Sequence, residues 1–113
     1  MQNKQFGLSN SDILEIVALL KQNPAVEKAV IFGSRAKGNY KNGSDVDIAL
    51  FGPSLRSDVI TCIGCSLNED TLMPYFFDIL HYDSLTNQEL QNHIDRVGKE
   101  FYRKSNVLKP IFS

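Results

Sequence analysis

The apolar residues fall into stretches that follow helical and strand periodicity in turn. Helical spacing with one apolar face covers residues 9–23, 55–72 and 87–103. Short stretches that are apolar or alternate, as strands do, cover residues 26–32, 45–51 and 75–82. The order is helix, strand, turn, strand, helix, strand, helix. It predicts a small α/β (α+β) domain with a three-stranded mixed β-sheet and helices packed over it.

Capping and breaking residues set the expected boundaries of these elements. Ser9 or Asn10 caps the first helix, and Ser34 to Lys37 forms one short helical turn that Gly38 closes. The second helix is expected to be interrupted or bent near Gly64. In the last helix an apolar stripe consists of Leu90, Ile94, Val97 and Phe101. Residues 1–8 are expected to fray, and the tail 105–113 to be flexible.

Length and charge narrow the class of protein. The 113 residues suffice for one domain, with its core at about residues 9–104. No apolar run approaches the ~20 residues of a membrane span, and the N-terminus has no signal-peptide core. We therefore expect a cytoplasmic protein. The formal net charge of −1 lacks the basic excess of a general nucleic-acid binder, so no direct nucleic-acid binding is expected.

The stretch from Gly33 to Leu50 joins a glycine-bounded turn to an acidic strand start. Side chains alternate along a strand, so Asp45 and Asp47 share one face. Arg35, Lys37 and Lys41 precede them with no acidic residue between. Cations followed closely by carboxylates suit phosphates and a metal ion respectively, as in a metal-bound nucleotide.

Two familiar motifs do not fit this stretch. A P-loop continues with Lys and then Ser or Thr after its second glycine, whereas Asn39 and Tyr40 follow Gly38. A calcium loop needs ligands and a turn glycine after its first acidic residues, and here Asp47 is followed by Ile-Ala-Leu.

Asp78 lies within the apolar third strand, between Phe76-Phe77 and Ile79-Leu80. A lone carboxylate is costly to bury there without a charged partner. Metal coordination would remove that cost. An edge strand that leaves Asp78 in solvent would remove it too.

Three segments together carry a resemblance to a known family: FGSRAKG at 32–38, GSDVDIAL at 43–50 and FFDIL at 76–80. The chain resembles the DNA polymerase β-like nucleotidyltransferase superfamily, and within it the minimal nucleotidyltransferases of prokaryotes. The resemblance covers about residues 9–104. It implies the polymerase β-like nucleotidyltransferase fold. Glycine-serine followed ten residues later by Asp-x-Asp is specific as a combination, although either half alone would be weak.

The resemblance also implies roles for individual residues. Gly33 and Ser34 would approach the triphosphate, with Arg35 and Lys37 as further nucleotide-binding residues. Asp45, Asp47 and Asp78 would be catalytic and would hold two Mg²⁺ ions. The implied reaction moves NMP from an NTP, with ATP as the donor, to an acceptor hydroxyl and releases pyrophosphate. Lys37 stands where the family often has Arg, and lysine keeps the charge but lacks the planar fork of arginine.

The partner is implied in the same way. Minimal nucleotidyltransferases pair with a small helical HEPN protein, a toxin that they neutralise as antitoxins, and some add AMP to it. We therefore expect a hetero-oligomer with such a protein. Two alternatives stay open: a non-catalytic binding module that neutralises a HEPN partner, and a nucleotidyltransferase with a small-molecule or RNA acceptor.

Overall fold

Residues 4–41 and 43–104 are described by a computed structural model of the chain. They form six strands and four α-helices in one α/β domain. In chain order the elements are β1 (Lys4–Gln5), β2 (Leu8–Ser9), α1 (Asn10–Lys21), β3 (Lys28–Phe32), α2 (Gly33–Lys37), β4 (Val46–Phe51), α3 (Ser57–Glu69), β5 (Phe77–His81), α4 (Gln88–Val97) and β6 (Lys99–Arg103). Among the helices in this part of the chain, none has both the length and the apolar composition to cross a bilayer.

The main sheet has four strands in the order β5-β4-β3-β6. β4 runs antiparallel to β3 and parallel to β5, so the sheet is mixed as predicted. The parallel step needs a crossover, which α3 supplies. This arrangement places β4, with its acidic start, beside both the glycine turn after β3 and the strand that carries Asp78.

Alternation along the strands gives the sheet two different faces. Val46, Ile48 and Leu50 pack into the larger core under α1 and α3. Ala49 belongs instead to a smaller cluster on the opposite face, around Ile94 of α4. The predicted parity of β4 is therefore confirmed, and Asp47 lies on the α4 face.

The fourth strand, β6, was missed by the sequence prediction, which placed these residues in a helix over 87–103. The helix ends at Val97, and Gly98 follows in an extended conformation. A Cβ at Gly98 would lie 2.5 Å from both the Ile94 carbonyl oxygen and Val30 Cγ1. Only glycine fits where α4 meets β3 this closely, and Phe101 beyond it lies in a strand.

The other predicted element boundaries lie closer to those in the structure. Ser9 caps α1 in a reciprocal capping box with Asp12, as expected of a helix start. The helix that was expected to be interrupted or bent near Gly64 is α3, and it continues through that residue without interruption. Residues 1–8 were expected to fray, but residues 4–9 form a small hairpin. The tail 105–113 lies outside the described residues.

Candidate active site

Two of the predicted carboxylates are neighbours in the sheet. Asp47 on β4 is paired with Asp78 on β5 in the parallel register. Asp45 lies one residue before β4 and is exposed. Burial, together with the charges of Asp78 and Asp45, raises the pKa of Asp47 from its usual 3.8 to about 6, against the opposing effect of Arg35. The structure thus brings the three carboxylates close enough to repel one another.

The donor chemistry of this cluster fits a divalent cation. None of the ion pairs found in residues 4–41 and 43–104 involves Asp45, Asp47 or Asp78. Within the same ranges, no three His, Cys, Asp or Glu side chains are gathered closely enough to form a ready-made metal site. Burial and the neighbouring charges of Asp78 and Asp45 raise the pKa of Asp47, and a bound cation would offset these effects. Carboxylate oxygens are the ligands that Mg²⁺ prefers.

Asp78 is exposed rather than buried, and β5 is at the edge of the sheet. Asp78 avoids the cost of burying a lone carboxylate because it is exposed on an edge strand. The structure therefore confirms the edge-strand alternative, and burial gives no argument for a metal ion at Asp78, although its position beside Asp47 is the one a shared cation needs.

Gly33 connects the glycine turn directly to the carboxylates. It has a positive φ of 74°, and a Cβ there would lie 2.4 Å from Asp47 Oδ2. Any side chain at this position would displace the Asp47 carboxylate. The glycine therefore makes room for Asp47, a need that the sequence alone did not indicate.

The rest of the turn forms the short helix α2. Ser34 is half-buried directly after Gly33, and its carbonyl accepts the Gly38 N–H at 2.9 Å. Gly38 closes the turn in the left-handed conformation, as predicted. Lys37 is exposed in the last turn. Serine and lysine are thus available to a ligand beside Gly33.

Arg35 has a different environment from the other turn residues, with only 3% of its surface exposed. Its guanidinium donates to the Phe6 carbonyl at 2.7 Å and twice to the Ser44 carbonyl, at 2.8 and 3.1 Å. It also lies between the rings of Tyr40 and Tyr75, 5.1 and 4.9 Å from their centroids. Because these contacts occupy the guanidinium, Arg35 positions neighbouring segments of the site. They give no support to a direct contact between Arg35 and phosphate.

This arginine cluster was not found from the sequence. Tyr75 extends it, because its hydroxyl donates to Asp12 in the capping box of α1 at 3.3 Å. The residues involved are far apart along the chain, so no local pattern marks them. The residues that Arg35 contacts lie next to the candidate carboxylates. Ser44 precedes Asp45, and Tyr75 lies three residues before Asp78.

Solved structures support the fold. One crystal structure of a toxin-antitoxin with AMP-PNP aligns with a TM-score of 0.69 and 22% identity over 81% of this chain and 73% of that chain. A crystal structure of the toxin-antitoxin MntA-HepT aligns with a TM-score of 0.64 and 20% identity, over 83% and 72% respectively. At this identity the likeness shows a shared fold.

Sequence comparison gives the family. No curated protein matches the chain. A family model described as "Polymerase beta, Nucleotidyltransferase" matches residues 15–107, most of the chain. With the mixed sheet and the paired carboxylates beside a glycine turn, this match shows that the chain belongs to the polymerase beta nucleotidyltransferase family.

Proposed function

We propose that this protein transfers AMP from ATP to a hydroxyl group on a partner protein and thereby acts as the antitoxin of a toxin-antitoxin pair. The observation that carries the proposal is the pairing of Asp47 with Asp78 on parallel strands, with Gly33 in contact with Asp47. This arrangement supports the proposal, because carboxylates that suit a cation lie beside a turn that suits phosphates.

In the proposed reaction the acceptor oxygen bonds to the α-phosphorus of ATP. The bond from that phosphorus to the oxygen bridging to the β-phosphorus breaks, and pyrophosphate leaves. Asp78, on the exposed edge strand, takes the proton of the acceptor hydroxyl. The Ser34 hydroxyl and the backbone N–H groups of the turn bind phosphate oxygens, and Lys37 adds positive charge.

Asp45, Asp47 and Asp78 would hold two Mg²⁺ ions. Bound there, Mg²⁺ would neutralise the phosphates and the developing negative charge. The raised pKa of Asp47 supports this role, because a carboxylate crowded by like charges gains most from a cation.

The partner is proposed to be a HEPN-type helical toxin. Support comes from the family resemblance and from solved neighbours, which are toxin-antitoxin complexes, one of them MntA-HepT. A hetero-oligomer of the two proteins would bring the acceptor hydroxyl to the site.

The first prediction tests catalysis. Asp47→Asn should lower transfer of α-³²P-labelled AMP to a purified HEPN-type protein from the same genome by about a hundredfold or more, since charge stabilisation at the reacting phosphate is lost. Glu15→Gln, which removes an exposed carboxylate on α1, should transfer normally. Wild-type transfer by Asp47→Asn would refute the assigned role of the carboxylates.

A second candidate is a binding module that neutralises its partner without chemistry. It would need none of the three carboxylates to bind a metal ion. Under this alternative, Asp47→Asn would still neutralise the toxin in growth assays, and the wild type would transfer no label.

A further inference from the structure

Phe76 is a large apolar side chain left in solvent beside the carboxylates. It lies directly before β5, and 57% of its surface is exposed. Its neighbours Tyr75 and Phe77 pack into the larger core, and their rings are in edge-to-face contact. Alternation along the strand therefore puts Phe76 on the same face as Asp78.

The position of Phe76 relative to Asp45 is also fixed. The Phe76 carbonyl accepts the Val46 N–H at 2.8 Å, which places Phe76 across from the start of β4. Asp45 is the residue before Val46 and Asp78 is two residues after Phe76. The exposed ring thus borders the carboxylate cluster on its β5 side.

The two sides of the cluster differ. Gly33 and Ser34, proposed to bind the phosphates, lie on the β3 side of β4. Phe76 lies on the opposite side, at the edge of the sheet. An in-line displacement needs the acceptor and the leaving pyrophosphate on opposite sides of the α-phosphorus. The β5 side is therefore the acceptor side.

The backbone N–H and carbonyl of Phe77, at the outer edge of the sheet, already have hydrogen-bond partners. Asn68 of α3 accepts the Phe77 N–H at 2.7 Å and donates to the Phe77 carbonyl at 3.0 Å. A partner segment cannot add as a further strand at Phe77, because those backbone groups are engaged. Contact at Phe77 is therefore left to side chains, and the neighbouring Phe76 offers a large exposed apolar one.

We infer that Phe76 is an acceptor-binding residue: an apolar side chain of the partner protein, next to the acceptor hydroxyl, packs on its ring. The inference rests on the proposed transfer to a protein and adds where the acceptor is held. Aromatic side chains are common anchors of protein interfaces, because they bury much area at little conformational cost.

The test compares Phe76→Ala with Leu14→Ala. Leu14 is another exposed apolar residue, with 67% of its surface accessible, on α1 away from the carboxylates. Steady-state transfer to the HEPN-type protein from the same genome gives KM for that protein and kcat. Phe76→Ala should raise KM by about tenfold or more with little change in kcat, and Leu14→Ala should change neither.

A second measurement separates acceptor from nucleotide. The rise in melting temperature with Mg²⁺ and ATP should be the same for Phe76→Ala and the wild type. A reduced rise would place Phe76 at the nucleotide and overturn the inference. Wild-type KM in Phe76→Ala would overturn it while leaving the transfer reaction intact. Absence of transfer by the wild type would refute the reaction itself, and the inference with it.

Discussion

Two glycines of the same short turn have similar backbones and different surroundings. Gly33 and Gly38 have φ values of 74° and 87°, both unfavourable for other residues. A Cβ at Gly33 would collide with the Asp47 carboxylate, whereas one at Gly38 would meet nothing within 4 Å. Comparing the two glycines therefore separates the effect of a positive φ from the effect of a side chain that would crowd Asp47.

The second prediction follows from this pair. Both Gly33→Ala and Gly38→Ala should lower the free energy of unfolding by about 1–2 kcal/mol through the positive φ. Gly33→Ala should also displace Asp47 and reduce transfer at least tenfold, whereas Gly38→Ala should keep most activity. Chemical denaturation and the transfer assay measure the two effects. Equal losses of activity in both variants would contradict a special need for space at Gly33.

The arginine cluster acts at the scale of elements, because Arg35 joins segments that enter the site from different directions. Its guanidinium fixes the Ser44 carbonyl before β4 and the Phe6 carbonyl in the turn of the N-terminal hairpin. The Tyr75 ring packed against it precedes β5. Arg35 is thus a positioning residue for the starts of both acidic strands.

The third prediction concerns Arg35→Lys. Lysine keeps the charge but loses the planar fork that serves two carbonyls, so the free energy of unfolding should fall by about 1–3 kcal/mol. The concentration of Mg²⁺ needed for half-maximal transfer should rise, because Asp45 is less well placed. Lys21→Met is the comparison: it removes an exposed cation at the end of α1, and the half-maximal Mg²⁺ concentration should stay unchanged. An unaltered Mg²⁺ requirement in Arg35→Lys would assign Arg35 to stability alone.

At this scale the sequence was informative where signals are local. The cap at Ser9, the closing glycine at Gly38 and the parity of β4 all depend on neighbouring residues, and each was predicted correctly. The last helix was overextended because Phe101 continues its apolar spacing. That helix ends at Gly98, where close packing against Val30, a residue 68 positions earlier, leaves no room for a side chain. Two partners of Arg35, Phe6 and Tyr75, are also distant in sequence, and no local pattern marks them.

Stability of the whole molecule should depend on pH through Asp47. Its pKa is about 6 in the folded protein and near 3.8 in the unfolded chain. The folded state therefore holds this proton more tightly. The resulting stability is fully present below the unfolded pKa and is lost as pH rises through about 6. Above that pH the metal-free protein carries an uncompensated carboxylate.

The fourth prediction follows from this loss of stability as pH rises. Without metal, the melting temperature of the wild type should fall between about pH 4 and 7 more than that of Asp47→Asn. Added Mg²⁺ should reduce the fall in the wild type and have little effect in the variant. Thermal melts with EDTA and with Mg²⁺ across this range decide the matter. Parallel curves for both proteins would mean that Asp47 titrates normally.

The pairing of Asp47 with Asp78 also bears on how the chain folds. The two residues are separated by the whole crossover through α3, so they meet only after that long loop has closed. β3 and β4 can pair early through a shorter connection, whereas β5 must dock against a strand of like charge. A partly folded chain would thus have the glycine turn but no complete cluster. The ability to bind the cation belongs to the finished fold, and the cation in turn favours the docking of β5 on β4.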